Sequence, residues 1–162
     1  IDIGAGATKI YIAERGVIRD SHILSRGSQD ITLNISRSMS LSFDYAEKLK
    51  RNYGNNTEEQ DKDVKSSIDS VINPILSDAN SILLNFQKKN NKNVARTIFV
   101  GGGALLNGIQ RTAQKKLGVE VIMGKKKKKV EVPAFLMEVL KETGLSFTVA
   151  IGVALRKLQE LE

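Results

Sequence analysis

Alternating apolar and polar residues at the start of the chain predict three short strands. Residues 1–3, 9–13 and 17–24 carry apolar side chains in short runs or at alternate positions. Two glycine-containing turns separate these segments, Gly4 to Thr8 and Glu14 to Gly16. The pattern therefore predicts a three-stranded antiparallel meander.

From residue 30 the apolar period changes to three or four residues, which predicts helices. We expect three of them, over residues 30–39, 43–53 and 63–88, with a polar loop over residues 54–61. Ser28 and Asp30 are candidates to cap the first helix, and Gly54 is placed to follow the second. Pro74 lies within the third helix and should kink or divide it.

The last part of the chain alternates strands with helices. Strands are predicted over residues 96–100 and 119–123, and helices over 104–116, 136–141 and 147–161. A strand, helix, strand succession favours parallel pairing. The order βββ-α-α-α-β-α-β-α therefore predicts an α/β layered fold.

Composition excludes several kinds of protein. The 162 residues contain no cysteine, which excludes disulfides and thiolate metal sites. There is no Trp, and aromatic residues make up only 5%, so a stacking platform for single-stranded nucleic acid is not expected. Because the chain begins with Ile1 directly in a strand, we expect it to be a fragment of a longer protein.

The net charge of +7 comes mostly from one tract, since Lys125 to Lys129 supply five positive charges. The charge is therefore local, and we predict no specific nucleic-acid partner. Two interpretations of the tract stay open. It is either a solvated loop or a segment attracted to anionic lipid or an acidic partner.

The first glycine turn, residues 4–8, has the features of a phosphate-binding loop. A tight turn with little side-chain bulk exposes successive backbone N–H groups, and such a concavity binds phosphate oxygens. Asp2 would repel phosphate, but a Mg²⁺ ion held by carboxylate, water and phosphate would link the two. Thr8 would add a hydroxyl donor. An ordinary glycine hairpin beside a solvated Asp2 is the alternative that these residues leave open.

Two further features suggest a nucleoside site. Gly101, Gly102 and Gly103 lie between a predicted strand and helix, where bare backbone would allow a base or ribose to lie flat. Glu47 and Lys50 are three residues apart and share a helix face, from which they would reach ribose hydroxyls or an adenine edge. A tight turn and a plain surface ion pair are the respective alternatives.

These motifs occur together in a fixed order. They are D-x-G-x-G-x-T (2–8), RGSQDIT (26–32), AEKLKRNYG (46–54), IFVGGGALLNGI (98–109), LGVEV (117–121) and FTVAIGVALR (147–156). The series resembles the C-terminal half, or lobe II, of the actin-like ATPases, which have a ribonuclease H-like fold. Within that superfamily it is most similar to PilM of type IV pilus assembly, and next to FtsA.

The resemblance implies ATP and Mg²⁺ as ligands. It implies that Asp2 faces the metal and that Gly27 to Asp30 form the turn after the third strand. The implied nucleotide-binding residues are Gly4, Ala5, Gly6, Ala7 and Thr8 at the phosphates, and Glu47, Lys50, Gly101, Gly102 and Gly103 at the nucleoside. It assigns no catalytic residue in this chain.

The resemblance also implies an organisation and a cellular role. Residues 1–29 and 96–162 would form the core subdomain (IIA-like), with helices on both faces of its sheet. Residues 30–95 would form a helical subdomain (IIB-like) whose long helix packs on that core. The family's N-terminal lobe is missing, so we expect little or no ATP hydrolysis by this chain alone.

The implied protein is a cytoplasmic scaffold at the inner face of the cell membrane. Its partners would be the missing lobe, PilN-like inner-membrane proteins and further copies of itself. An FtsA-like or MreB-like filament protein of cell division or the cytoskeleton is the alternative, and an interaction module without nucleotide is a third. An amphipathic tail in the full chain, or polymerisation, would favour the filament class.

Overall fold

The computed structural model describes residues 1–124 and 143–160. The lysine tract and the helix predicted over residues 136–141 lie outside the described residues. No helix within the described part of the chain is long and apolar enough to cross a membrane.

The three N-terminal strands form the predicted meander. They are β1 (Asp2–Ile3), β2 (Thr8–Glu14) and β3 (Val17–Leu24), and both pairings are antiparallel. Side chains of β2 alternate, so that Thr8, Ile10 and Ile12 are buried while their neighbours face outwards. The alternation of the sequence thus fixes which face of this sheet carries the core.

Two later strands extend the sheet beside β1. They are β4 (Arg96–Phe99) and β5 (Glu120–Met123), which pair in parallel as predicted. A parallel bridge joins Asp2 to Val100, where the N–H of Ile3 donates to the Val100 carbonyl at 3.0 Å. The N–H of Val100 donates in turn to the Ile1 carbonyl at 2.9 Å. The sheet order is therefore β3-β2-β1-β4-β5, and the predicted mixed α/β class is confirmed.

The described residues contain five α-helices. They are α1 (Ser28–Ser38), α2 (Phe43–Arg51), α3 (Glu58–Asn90), α4 (Ile109–Leu117) and α5 (Thr148–Gln159). Gly27 is the N-cap of α1, and its N–H donates to the Asp30 carboxylate at 2.8 Å. Ser42 caps α2 by accepting from the N–H of Tyr45.

The long helix α3 corrects two predictions. It begins at Glu58, so the second half of the predicted polar loop is helical. Thr57 and Gln60 form a capping box there, a signal that the sequence analysis missed. The helix also continues through Pro74, so the predicted division is wrong, while the alternative of a kink stays a prediction. Buried Ile72 and Ile75 on either side of the proline anchor both halves to one core, which outweighs the lost backbone hydrogen bond.

The segment after β4 also differs from the prediction of one helix over residues 104–116. A short 3-10 helix, Gly102–Leu105, comes first, and α4 begins only at Ile109. Gly108, at φ +77°, adopts the left-handed conformation that separates the two helices. Leu106 and Ile109 are nevertheless both buried, so the predicted apolar face is retained.

One continuous hydrophobic core connects the sheet and the helices. Ile3 and Phe99 of the sheet, Ile31 of α1 and Ile75 of α3 are all fully buried within it. Helix α3 contacts both α1 and α4, and thus bridges the helical segment and the strands. The proposed division at residues 29/30 and 95/96 stays a prediction.

The fit between α1 and the first turn gives a stability prediction for Gly27→Ala. A Cβ at residue 27 would lie 2.1 Å from the Ala5 carbonyl oxygen and 2.8 Å from the Ala7 nitrogen. Because these are backbone atoms, either the turn or α1 must move. We expect the free energy of unfolding to fall by about 1–3 kcal/mol in urea titrations.

Gly102→Ala is the matched control, because the nearest atom to its Cβ would be Ser146 Oγ at 3.5 Å. This variant should stay within about 0.5 kcal/mol of the parent. Equal stability of the two variants would contradict the packing described for Gly27.

Candidate functional site

The two glycine loops meet at one edge of the sheet. Residues 4–7 follow β1 and residues 101–103 follow β4, and these strands are parallel neighbours. Their carboxyl ends therefore point the same way, as at the binding crevices of α/β sheets. An open cleft of about 1210 Å³ lies there. Of the residues proposed from sequence, its lining includes Asp2, Gly4, Ala5, Glu47, Lys50, Gly101, Gly102 and Gly103.

The first turn is held in place by the start of α1. The N–H groups of Ser28 and Gln29 donate to the carbonyls of Gly4 and Ala5, at 2.8 and 2.9 Å. The N–H of Gly4 donates across the turn to Ala7 at 3.0 Å. Within the described ranges, the N–H groups of Ala5 and Gly6 have no protein acceptor. The turn thus presents backbone donors beside the positive end of a helix.

Three residues proposed at the phosphates lie elsewhere than on the cleft wall. Gly6 is exposed at the tip of the turn, and Ala7 follows it. Thr8 is fully buried, and its hydroxyl donates to the Arg26 carbonyl at 2.8 Å. In this structure Thr8 therefore supports the turn from behind.

The second loop uses its three glycines differently. Gly101 has φ +86°, and a Cβ there would lie 2.3 Å from Asp2 Oδ1. A Cβ on Gly103 would lie 2.3 Å from the Cγ2 atom of buried Ile3. Packing against β1 thus requires glycine at these two positions. Gly102 is exposed and lines the cleft, and packing against β1 does not require glycine at this position.

Glu47 and Lys50 belong to a hydrogen-bonded cluster between α1 and α2. Lys50 Nζ lies 2.7 Å from Glu47 Oε2 and donates to Thr32 Oγ1 at 2.8 Å. The Thr32 hydroxyl donates to Glu47 Oε2 at 2.6 Å. On the solvent side, Arg51 Nε donates to Glu47 Oε1 at 2.8 Å. The pair is therefore not an isolated surface ion pair, since the Lys50 side chain is only 8% exposed.

The cluster lowers the pKa of the Glu47 carboxyl. Burial alone would raise this pKa, but hydrogen bonds from Lys50, Thr32 and Arg51 and the Lys50 charge outweigh that effect. Glu47 is therefore held as a carboxylate at neutral pH.

Sequence reasoning missed several residues at or just behind this wall. Thr32 lies one helical turn after Ser28 and so faces α2, but a threonine inside an apolar pattern gives no sign of a charged partner. Arg51 follows Lys50 directly, and its side chain is 76% exposed. Aromatic Phe43 and Tyr53 also line the cleft. Lys50 and Arg51 follow Glu47 by three and four residues, a spacing that places basic side chains next to a carboxylate on a helix. This spacing was the signal that could have identified Arg51.

Asp2 is the residue that could hold a metal ion at this cleft. Residues 1–124 and 143–160 contain no group of three or more His, Cys, Asp or Glu side chains arranged around an ion. Mg²⁺ is commonly bound through one or two carboxylates, with phosphate oxygens and water completing its octahedron. One carboxylate beside a turn with unpaired backbone donors fits that pattern.

The fold is that of the actin-like ATPases. The chain is similar to a protein of the PilM-PilN type IV pilus biogenesis complex, with a TM-score of 0.81 and 27% identity. That match covers 96% of this chain and 44% of that one. It is also similar to the ethanolamine utilization protein EutJ of Carboxydothermus hydrogenoformans, with a TM-score of 0.56, 26% identity, and coverage of 75% and 42%.

Within this class, the chain belongs to the FtsA family, because the family model for cell division protein FtsA matches residues 1–152. The cell division protein FtsA of Buchnera aphidicola subsp. Baizongia pistaciae is 29% identical over 117 residues. That alignment covers 72% of this chain and 26% of the relative. FtsA of Staphylococcus epidermidis is 37% identical over 54 residues, which cover 33% of this chain and 12% of that protein. The chain thus spans about a quarter of the first relative's length.

The lowered pKa of Glu47 predicts a pH-dependent contribution to stability. A carboxyl whose pKa is lower in the folded state stabilises the fold above its ordinary pKa of 4.5 and loses that effect as the pH falls through the folded value. At neutral pH, Glu47→Gln should lower the free energy of unfolding by about 2 kcal/mol, because Lys50 stays buried without its counter-charge.

Below pH 4.5 the difference between Glu47→Gln and the parent should shrink, as measured by urea unfolding at a series of pH values. Asp78→Asn, at an exposed position in the middle of α3, is the control and should match the parent throughout. A difference that stays constant on acidification would refute the role given to the Glu47 charge.

Proposed function

We propose that this chain supplies one wall of an ATP and Mg²⁺ site in an actin-family scaffold protein. The observation that carries the proposal is the shared cleft of the two glycine loops, Asp2 and the Glu47–Lys50 pair. Each of these elements offers a different kind of contact, and together they match the parts of one nucleotide.

The polyphosphate would lie against the first turn. Ala5 lines the cleft, its N–H is a donor with no acceptor among the described residues, and the positive end of α1 adds a favourable field. Asp2 would hold the Mg²⁺ ion, which would supply positive charge to stabilise the phosphates. Thr8 would act by fixing the turn through its bond to Arg26.

The nucleoside would lie against the second loop and α2. The bare backbone of Gly102 offers a flat surface, and a side chain there would occupy the same space. The carboxylate of Glu47 and the Arg51 guanidinium provide acceptors and donors for ribose and base at this end.

We propose that hydrolysis depends on groups outside this chain. Phosphoryl transfer needs charge and positioning on both sides of the phosphates, and the described residues form one wall of the cleft. The chain spans 44% of the PilM-complex protein, which leaves room for an opposite lobe. No residue here is assigned to activation of the attacking water.

For the cellular role, we propose a PilM-like scaffold at the inner face of the cell membrane, working with a PilN-like partner and with further copies of itself. The TM-score of 0.81 over 96% of the chain supports this choice. An FtsA-like cell-division role is the second candidate, and the family model and the curated FtsA relatives favour it.

Nucleotide binding can be tested by substituting Gly102 in the intact protein that carries this chain. Gly102→Leu should weaken Mg·ATP binding by at least tenfold in isothermal titration calorimetry, because the side chain would fill the cleft without straining β1. Gly152→Leu on α5, where a Cβ meets nothing within 4 Å, is the control and should bind like the parent. Absence of Mg·ATP binding by the parent would refute the proposed function.

The two cellular roles differ in what the intact protein assembles with. A PilM-like scaffold should bind a peptide from the PilN-like inner-membrane protein of the same genome in biolayer interferometry. It should also stay in the supernatant after high-speed centrifugation with ATP. Sedimenting ATP-dependent filaments together with no peptide binding would instead establish the FtsA-like role.

A further inference from the structure

The end of the sheet opposite the cleft lies at the β2–β3 turn. Strand β2 leaves the first glycine turn at Thr8 and runs for seven residues to Glu14, so this end is roughly 20 Å from the cleft. Strands β4 and β5 begin here, at Arg96 and Glu120, because their carboxyl ends point towards the cleft. Helices α3 and α4, which precede those strands, therefore end here as well. We call this part of the molecule the basal end.

Basic residues dominate the basal end. Residues 79–119 contain seven basic residues and no acidic one. Four of the seven lie in the last turns of α3 and α4, where they also complement the helix dipoles. Arg15 and Arg19, in and beside the β2–β3 turn, are exposed and belong to no helix. The positive charge of the basal end is therefore greater than the helix ends alone require.

Side-chain contacts join the end of α3 to the β2–β3 hairpin. Lys92 Nζ lies 2.6 Å from Glu14 Oε1. A hydrogen bond from His22 lowers the pKa of the Asp20 carboxyl, and the nearby charge of Lys89 adds to this effect. Both carboxylates are thus paired within the protein, and the hairpin and the helix end form one surface.

The tip of this surface is apolar. Val17 and Ile18 are 53% and 60% exposed, and Arg15 and Arg19 flank them. Exposed aliphatic side chains between basic ones suit the boundary of an anionic bilayer, where apolar groups enter the acyl region and basic groups meet the headgroups. A polynucleotide would instead favour aromatic side chains for stacking, and the chain has no Trp and only 5% aromatic residues.

We propose that the basal end binds the surface of an anionic bilayer, with Val17 and Ile18 entering the membrane interface and the nucleotide cleft facing away from it. The inference rests on the membrane location proposed above, and it does not depend on nucleotide binding. The surface consists of described residues and is separate in sequence from Lys125 to Lys129.

The charges can be tested by co-sedimentation of the intact protein with vesicles. The parent should bind vesicles of equal parts phosphatidylglycerol and phosphatidylcholine at least tenfold more tightly than vesicles of phosphatidylcholine alone. This binding should weaken as salt is raised. Arg15→Gln combined with Lys89→Gln should weaken binding to the mixed vesicles by about tenfold. Lys48→Gln combined with Lys62→Gln removes the same charge from exposed sites nearer the cleft and should bind like the parent.

The apolar tip is tested in the same assay. Val17→Ser combined with Ile18→Ser should weaken binding to the mixed vesicles by about tenfold, because the apolar area that enters the bilayer is lost. Val17→Leu combined with Ile18→Leu keeps the apolar character and should bind within about twofold of the parent.

An inserted tryptophan reports directly on contact with lipid. This chain has no Trp, so Ile18→Trp adds a new emitter, and brominated phosphatidylcholine in the mixed vesicles should quench its fluorescence. Tyr45→Trp, at an exposed site on α2, is the control and should show no added quenching. Equal quenching of the two would overturn the proposed orientation.

Three further results would overturn the proposal. They are a parent that does not bind the mixed vesicles, parent-like binding by the Arg15 and Lys89 double variant, and binding of single-stranded RNA by a parent that ignores vesicles. Mg·ATP binding by the same double variant should match the parent, because neither residue lines the cleft. Loss of vesicle binding with Mg·ATP binding intact therefore counts against this inference alone, and the reverse result counts against the nucleotide site alone.

Discussion

The cleft depends on the parallel pairing of β1 with β4. Strand β1 has only two residues, yet it lies at the centre of the sheet with Ile3 fully buried. Its pairing with Val100 brings two turns, some hundred residues apart in the chain, to the same edge. Gly101 and Gly103 allow this approach, because a Cβ at either position would collide with β1. Any function assigned to the cleft therefore rests on this contact.

The second support of the cleft is the start of α1, which lies between the turn after β1 and the polar cluster on α2. Gly27 packs directly on the turn, and Ser28 contacts the turn through its N–H and Lys50 through its carbonyl. Small residues are needed at this point because the start of α1 packs closely against the turn on one side and Lys50 on the other. It also means that residues without ligand contacts can decide the shape of the ligand site.

Much of this arrangement follows from local sequence signals, and the remainder depends on long-range packing. Period-two alternation gave the meander, and the strand-helix-strand succession gave the parallel pair, because both patterns report burial of one face. The same patterns could not show that α3 would run through Pro74, since that depends on the core on both sides of it. Nor could they show that α4 would begin only after Gly108, whose left-handed conformation interrupts the helix predicted over residues 104–116.

At the site, the sequence predicted which residues lie near the cleft better than it predicted what their side chains contact. The glycine turns and the Glu47–Lys50 pair were found from spacing, and they line one cleft. The burial of Thr8 and Lys50, and the partnership of Thr32 with a charged pair, involve elements distant in sequence and had no local signal. Two of the three successive glycines serve packing against β1, a distinction that sequence cannot make.

The most direct test of the central claim is a crystal structure of the intact protein with a non-hydrolysable ATP analogue and Mg²⁺. The account predicts polyphosphate oxygens within hydrogen-bond distance of the Ala5 amide, and the nucleoside against Gly102. A nucleotide bound away from both turns, or one that contacts only one of them, would contradict it.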